Sequence, residues 1–302
     1  MFRHRIGGES VQRLALRPIA VFMVISCTGS WAIWLAGILS IPGLSGIGDA
    51  RFGPFLLLGS FAPTLAAFVA SGFSGGRREV VVLLKSYSKL NISWKVYLLT
   101  FFLPPTVGIG LTLACGIPPR IEIWKIAVTA IPLMPVNALM AGIVFGAGPL
   151  GEEAGWRGFL QARLQGTMNP VSAAILIGLA WAMWHMPLAF SFPDFRNGIT
   201  LPQFLALYPA STILISYAMG HLWRWSGGST FIAIFSHAVM NQTASYLLSA
   251  KLWDFGALTV LQGYLLVLTA FALMAALCEV LSRTAFKESR ASLNTPGGGS
   301  RD

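Results

Sequence analysis

Long apolar runs alternate with short polar connections along the whole chain. A helix crossing a bilayer needs about 20 mostly apolar residues. By that ruler, spans are expected at 19–41, 52–72, 96–115, 126–150, 170–190, 203–223, 229–250 and 257–279. The pattern predicts an all-α fold: a polytopic membrane helix bundle of about eight transmembrane helices. No repeat of fixed period interrupts it, so one domain is expected over 19–288. A basic N-terminal segment (1–18) precedes it. A polar tail (289–302), ending in the run Gly297–Gly299, is expected to be disordered. The first span follows Arg3, Arg5, Arg13 and Arg17 and lacks a small-x-small cleavage site, so it reads as a retained signal anchor. The longest basic connection, Gly72–Lys95, fits either a solvated loop or an amphipathic helix on anionic lipid.

Composition supports this reading. Of 302 residues, 55% are hydrophobic and 11% charged, with a mean hydropathy of +0.68. Soluble domains carry about 25% charged residues. An ordinary cytosolic enzyme, a disordered chain and a nucleic-acid-binding domain are excluded, despite the net charge of +10. The placement of the cations explains that charge better. Arg3, Arg5, Arg13, Arg17, Arg77, Arg78, Lys85, Lys89, Lys95, Arg157, Arg163, Arg224, Arg283, Lys287, Arg290 and Arg301 fall on one side of the expected topology. Only Arg51, Arg120, Lys125, Arg196 and Lys251 fall on the other. The positive-inside rule puts the first side, and both termini, in the cytoplasm. Cys27, Cys115 and Cys278 form no metal-binding spacing and read as small buried apolar side chains.

A charged side chain at the centre of a membrane helix costs about 2.5–3.5 kcal/mol on insertion scales. Polar residues within the spans are therefore candidates for function. Gly151-Glu152-Glu153-Ala154-Gly155-Trp156-Arg157-Gly158 holds two adjacent carboxylates and an arginine one turn beyond the second. The arginine can hold one carboxylate ionised and leave the other to act as a base. A helix-start pair beside a solvated arginine fits the motif equally well. His185 follows Trp181 by one turn and precedes Pro187, which loosens a helix; alone it reads as an interface residue. His237 and Asn241, four apart, share a helix face about 6 Å apart along the axis. They suit a developing oxyanion, or an interhelical hydrogen bond.

In this order the three motifs resemble the CAAX protease and bacteriocin-processing (CPBP, or Abi) family of intramembrane proteases. Its pattern is Glu-Glu-x-x-x-Arg, Phe-x-x-x-His and His-x-x-x-Asn on separate helices. Glu152, Glu153 and Arg157 meet the first, and His237 and Asn241 the third. His185 meets the second with Trp181 in place of Phe, a departure that puts only local packing in doubt. The resemblance implies peptide hydrolysis within the membrane. Glu152 is then the base that activates water, His185 helps to bind it, His237 and Asn241 stabilise the oxyanion, and Glu153 and Arg157 support. The implied partners are the bilayer and a membrane-associated or lipidated peptide. Zinc on Glu152, His185 and His237 and a metal-free mechanism both stay open, since no HExxH motif is present. The competing classes are a transporter and a non-catalytic, immunity-like membrane protein using the same polar groups.

For these residues to meet, the fourth span has to start near Pro135 and run past Arg157, as a long, tilted or broken helix. The resulting polar cavity is expected to open to the cytoplasmic half of the bilayer. Matches to other intramembrane protease motifs, at Ser45, Ser74 and Asp49, fall in connections and are set aside.

Overall fold

The computed structural model describes residues 3–120, 147–249, 252–256 and 258–294, with side chains from Leu16 to Thr284 within those stretches. Among the described residues the chain is a bundle of helices. These are α1 (Arg3–Ser40), α2 (Gly53–Ser60), α3 (Ala62–Tyr87) and α4 (Trp94–Ala114), followed by α5 (Ala147–Glu153). α5 widens into a π-helical stretch, Ala154–Gln161, and closes as α6 (Ala162–Leu164). Then come α7 (Pro170–Trp184), α8 (Met186–Ser191), α9 (Leu201–Trp225), α10 (Thr230–Leu247) and α11 (Val260–Asn294).

Helices occupy every expected span that the described residues reach. Most of 126–150 lies outside them, as do Pro132 and Pro135. By length and composition, four described stretches suffice to cross a membrane: Leu16–Ser40, Gly53–Tyr87, Trp94–Ala114 and Val260–Thr284. α9 and α10 are long but carry buried polar residues, among them Ser211, Thr212, Ser216, His221, Ser236 and His237. Those side chains lower a hydropathy average without exposing anything polar to lipid.

The helix boundaries follow local chemistry. Asn169 caps α7 by accepting from the Ser172 amide, with Pro170 opening the helix. Thr200 and Gln203 form a capping box on α9. Ser229 accepts from the Ile232 amide and donates to the Lys89 carbonyl, which ties the start of α10 to the α3–α4 turn. The basic connection after Gly72 continues α3 as helix to Tyr87, across a kink at Gly75 and Gly76, where Gly76 takes φ +61°. α11 runs through 289–294, into the stretch expected to be tail.

Buried polar handles join the helices where a lipid environment offers no hydrophobic drive between them. The indole of Trp184 donates to Ser30 Oγ at 2.6 Å, and that of Trp31 to the Trp184 carbonyl at 2.8 Å. Small residues let backbones close up. A Cβ on Gly151 would lie 2.5 Å from the Ser60 carbonyl oxygen, and one on Gly178 2.5 Å from Ile213 Cα. Cys27 and Cys278 are buried, as expected. Cys115 is exposed, because it caps α4 where the chain leaves the bundle.

The helices alternate between two ends. One end gathers Arg163 with Glu79 and Ser74, and Lys89 with the Gly227 carbonyl. At the other, Asp194 accepts from the Ile47 amide, Arg51 pairs with Asp49 at 2.7 Å, and the Arg120 amide donates to the Leu252 carbonyl. Ser45 and Ser74 are taken up in these end contacts, with Asp49 and Glu79 respectively.

Candidate active site

The described part of the fourth segment runs past Arg157 and is broken by its π-helical turn, in keeping with the long, broken helix expected; its start lies outside the described residues. The turn is buried on nearly every side. Adjacent positions on a helix diverge by about 100°. Glu152 and Glu153 accordingly face different neighbours, and this separates their chemistry.

Glu153 is fully buried. Its Oε1 accepts from Arg157 at 2.9 Å and lies 2.8 Å from His237 Nδ1 on α10. Arg157 is also fully buried, with a second contact to Ser216 Oγ on α9 at 3.3 Å. It therefore does not belong among the cytoplasmic cations where its sequence position put it. The carboxylate it faces and Ser216 take up its two terminal nitrogens in place of water, while its Nε has no partner among the described residues.

Glu152 turns the other way and lines a cavity of about 380 Å³. His185, His237, Asn241 and Trp181 line the same cavity, together with Tyr208, Ser211 and Thr212 of α9. His185 sits where α7 gives way to α8, one residue before Met186 and two before Pro187. Its Nδ1 is 2.9 Å from the Trp181 carbonyl, an acceptor only, so Nδ1 carries the proton. The Nδ1 of His237 faces a carboxylate, so it too donates. In both rings Nε2 is left as the working nitrogen.

Trp181 ties the group together. Its indole N–H donates to Glu152 Oε2 at 2.6 Å. Its ring lies 4.9 Å from that of His237 and 5.8 Å from that of His185, and the Arg157 guanidinium sits 4.8 Å from it. The substitution of Trp for Phe thus reaches beyond local packing, because only an indole supplies a donor to the carboxylate. Sequence reasoning kept the aromatic ring and passed over its N–H. It also missed Ser216, which no motif marks, and Phe195, whose ring stacks 5.5 Å from that of His185.

Among the described residues no three His, Cys, Asp or Glu side chains stand close enough to hold a metal ion. Glu152, His185 and His237, the zinc candidates, share the cavity without forming such a group. One oxygen of Glu152 is already engaged by the Trp181 indole. The arrangement does not fit a zinc site, and no step below runs through one.

Among the described residues the site is filled toward the basic end. Glu153, Arg157 and Gln161 fill the interior toward the end that holds Arg163 and Lys89, and all three are fully buried. Gln161 closes this stack on the Gly220 carbonyl of α9. The cavity runs the other way, along Ala244, Ser245 and Leu248 toward Asn197. The expectation of a cavity on the basic side came from counting depths along the helices, which does not reveal that Glu153, Arg157 and Gln161 fill the interior there.

Residues 132–243 match the family model described as Type II CAAX prenyl endopeptidase Rce1-like. A curated relative, CAAX prenyl protease 2 of Methanococcus maripaludis, is 31% identical over 97 residues, covering 30% of this chain and 34% of the relative. That match spans about a third of the relative's length. The matched stretch of the family model contains all three motifs and every polar residue placed around Trp181 except Ser245 and its neighbours further along α10. Over this stretch the chain is similar to type II CAAX prenyl endopeptidases.

Proposed function

We propose that the protein is an intramembrane endopeptidase that hydrolyses a peptide bond of a membrane-associated or lipidated substrate. One observation carries the reading: a carboxylate, two imidazoles and an amide from three helical segments line one cavity. Buried, costly polar groups gathered in this way suit chemistry better than packing.

Glu152 takes a proton from a water held between it and His185 Nε2. The hydroxide formed attacks the substrate carbonyl carbon. Negative charge develops on the carbonyl oxygen, Asn241 donates to it, and His237 lines the position where it forms. Glu153 orients His237 through Nδ1, and Arg157 and Ser216 hold Glu153 in place. As the tetrahedral intermediate collapses, the C–N bond breaks and Glu152 returns its proton to the leaving nitrogen. The products are a carboxylic acid and an amine. Trp181 fixes the Glu152 carboxylate through Oε2 and leaves its other oxygen for the water.

The names of the matched family and relative point to prenylated C termini, which makes a prenylated CAAX peptide a natural first probe. The full chain is reconstituted in lipid with such a peptide and with an unmodified membrane-spanning peptide. Cleavage by the parent, lost in Glu152→Gln and His237→Ala, supports the proposal. Equal cleavage by parent and variants overturns it and favours a transporter or a non-catalytic role.

A further inference from the structure

We propose that the part of α3 beyond its kink, residues 76–87, lies along the membrane surface and binds the headgroups of anionic phospholipids through Arg77, Arg78 and Lys85. The proposal concerns the leaflet at the cation-rich end of the bundle and does not depend on the reaction assigned to the cavity.

Length gives the first argument. The apolar stretch Gly53–Tyr87 holds 35 residues. At about 1.5 Å per residue it extends about 52 Å, while the hydrocarbon core is about 30 Å thick. Residues 53–74 alone span about 33 Å. The remainder has to leave the core, and the chain turns at the matching place. Gly75 and Gly76 depart from helical geometry, and Gly76 takes φ +61°, a conformation that favours glycine. The helix resumes in a new direction about where the headgroups begin.

Contacts then fix which face looks outward. Leu83 is buried in the core, Glu79 pairs with Arg163 and accepts from Ser74, and Ser86 shares a hydrogen bond with Thr230 at the start of α10. Positions 79, 83 and 86 therefore face the bundle. Arg78, Val82 and Lys85 keep helical spacing on the opposite face, with Arg77 and Leu84 beside them. All five are exposed, as is Phe73 just before the kink. Apolar side chains set between cations suit a helix seated in the interface. Val82 and Leu84 enter the acyl boundary, and the long cationic side chains reach out to phosphate.

Charge gives the second argument. Among the side chains described at this end there are two carboxylates, and both are taken. Glu79 pairs with Arg163, and Glu279 with Arg283 and the Tyr217 hydroxyl. Among the described residues no side-chain hydrogen bond or ion pair engages Arg77, Arg78 or Lys85. The opposite end differs: Arg51 pairs with Asp49, and Arg120 and Arg196 donate to carbonyls. Three neighbouring uncompensated cations attract a group with net negative charge, and an anionic headgroup supplies it where a zwitterionic one does not.

Lipid retention tests this directly. The full chain is purified in a neutral detergent, offered equal amounts of phosphatidylglycerol and phosphatidylcholine with identical acyl chains, and analysed by native mass spectrometry. The parent is expected to retain phosphatidylglycerol in preference. Arg77→Gln/Arg78→Gln/Lys85→Gln is expected to weaken that preference on the order of 10-fold or more, since each basic side chain adds to the attraction. The three side chains are exposed and unpaired, so the exchange leaves the fold intact. Equal retention of the two lipids by the parent overturns the proposal, as does an undiminished preference in the triple variant. So does displacement of the lipid from the parent by excess inorganic phosphate, which shows a phosphate site in place of a lipid-binding face.

Discussion

The indole N–H of Trp181 donates to Glu152 Oε2 at 2.6 Å, and both side chains are buried. A hydrogen bond to a charged group contributes about 1.5–3 kcal/mol. If it holds the base in its working orientation, Trp181→Phe, which keeps an aromatic ring, slows cleavage roughly 10- to 100-fold. The melting temperature in detergent is expected to move little, because most of the ring contact remains. An unchanged kcat in Trp181→Phe refutes the positioning role.

Glu153 and Arg157 form a fully buried ion pair that also anchors His237. Removing one partner of a buried pair costs about 3–5 kcal/mol, because the other charge is stranded. Glu153→Gln and Arg157→Met are each expected to lower thermal stability clearly. The double variant is expected to be less destabilised than the two single losses added together. Glu152→Gln, at the cavity wall, loses activity with little change in melting. Strict additivity across the Glu153/Arg157 cycle shows that the two are not coupled.

The positions that attract attention in the sequence are those whose chemistry contradicts their surroundings. Glu152, Glu153, Arg157, His185, His237 and Asn241 stand out because each interrupts an apolar run, and the three motifs taken together single them out. What each one touches is a tertiary fact. Glu153 meets His237 across 84 residues, and Arg157 meets Ser216 across 59. No local spacing encodes either pairing. Ser216 is invisible for a further reason: a serine in a membrane helix can satisfy itself on its own backbone and signals nothing. The helices α9 and α10 are legible as apolar segments, but the polar residues that shape the cavity also blur their status as spans. The direction of the cavity depends on which half of the bundle is filled, a matter of packing that periodicity does not reach.

The glycines of the acidic motif act through packing. Gly151 and Gly155 sit against backbone, where an added Cβ would lie 2.5 Å from the Ser60 carbonyl oxygen and 2.7 Å from that of Pro63. Backbone has little room to yield, and overpacking costs about 1–3 kcal/mol. Gly151→Ala and Gly155→Ala are expected to destabilise the fold and reduce activity together. Gly110→Ala on α4 meets open space and is expected to leave stability equal or slightly raised, since alanine is favoured over glycine in a helix by about 1 kcal/mol. Melting curves of the three variants in the same detergent decide the matter. A neutral Gly151→Ala contradicts the close approach of α5 to Ser60.

His185 allows its two nitrogens to be tested separately. Nδ1 donates to the Trp181 carbonyl at 2.9 Å, which fixes the ring and leaves Nε2 outside that bond. An asparagine amide reproduces the Nδ1 position and reaches no further. A glutamine amide reaches the Nε2 position and can still hold a water. If Nε2 binds the attacking water by hydrogen bonding, cleavage falls in the order parent, His185→Gln, His185→Asn. The asparagine variant loses on the order of 10²- to 10⁴-fold, the usual contribution of a positioned acid–base group. Both variants remain folded, since each retains a donor or acceptor toward the cavity wall. The reverse order, with asparagine the more active, assigns the Trp181-facing nitrogen the larger share and removes His185 from contact with the water.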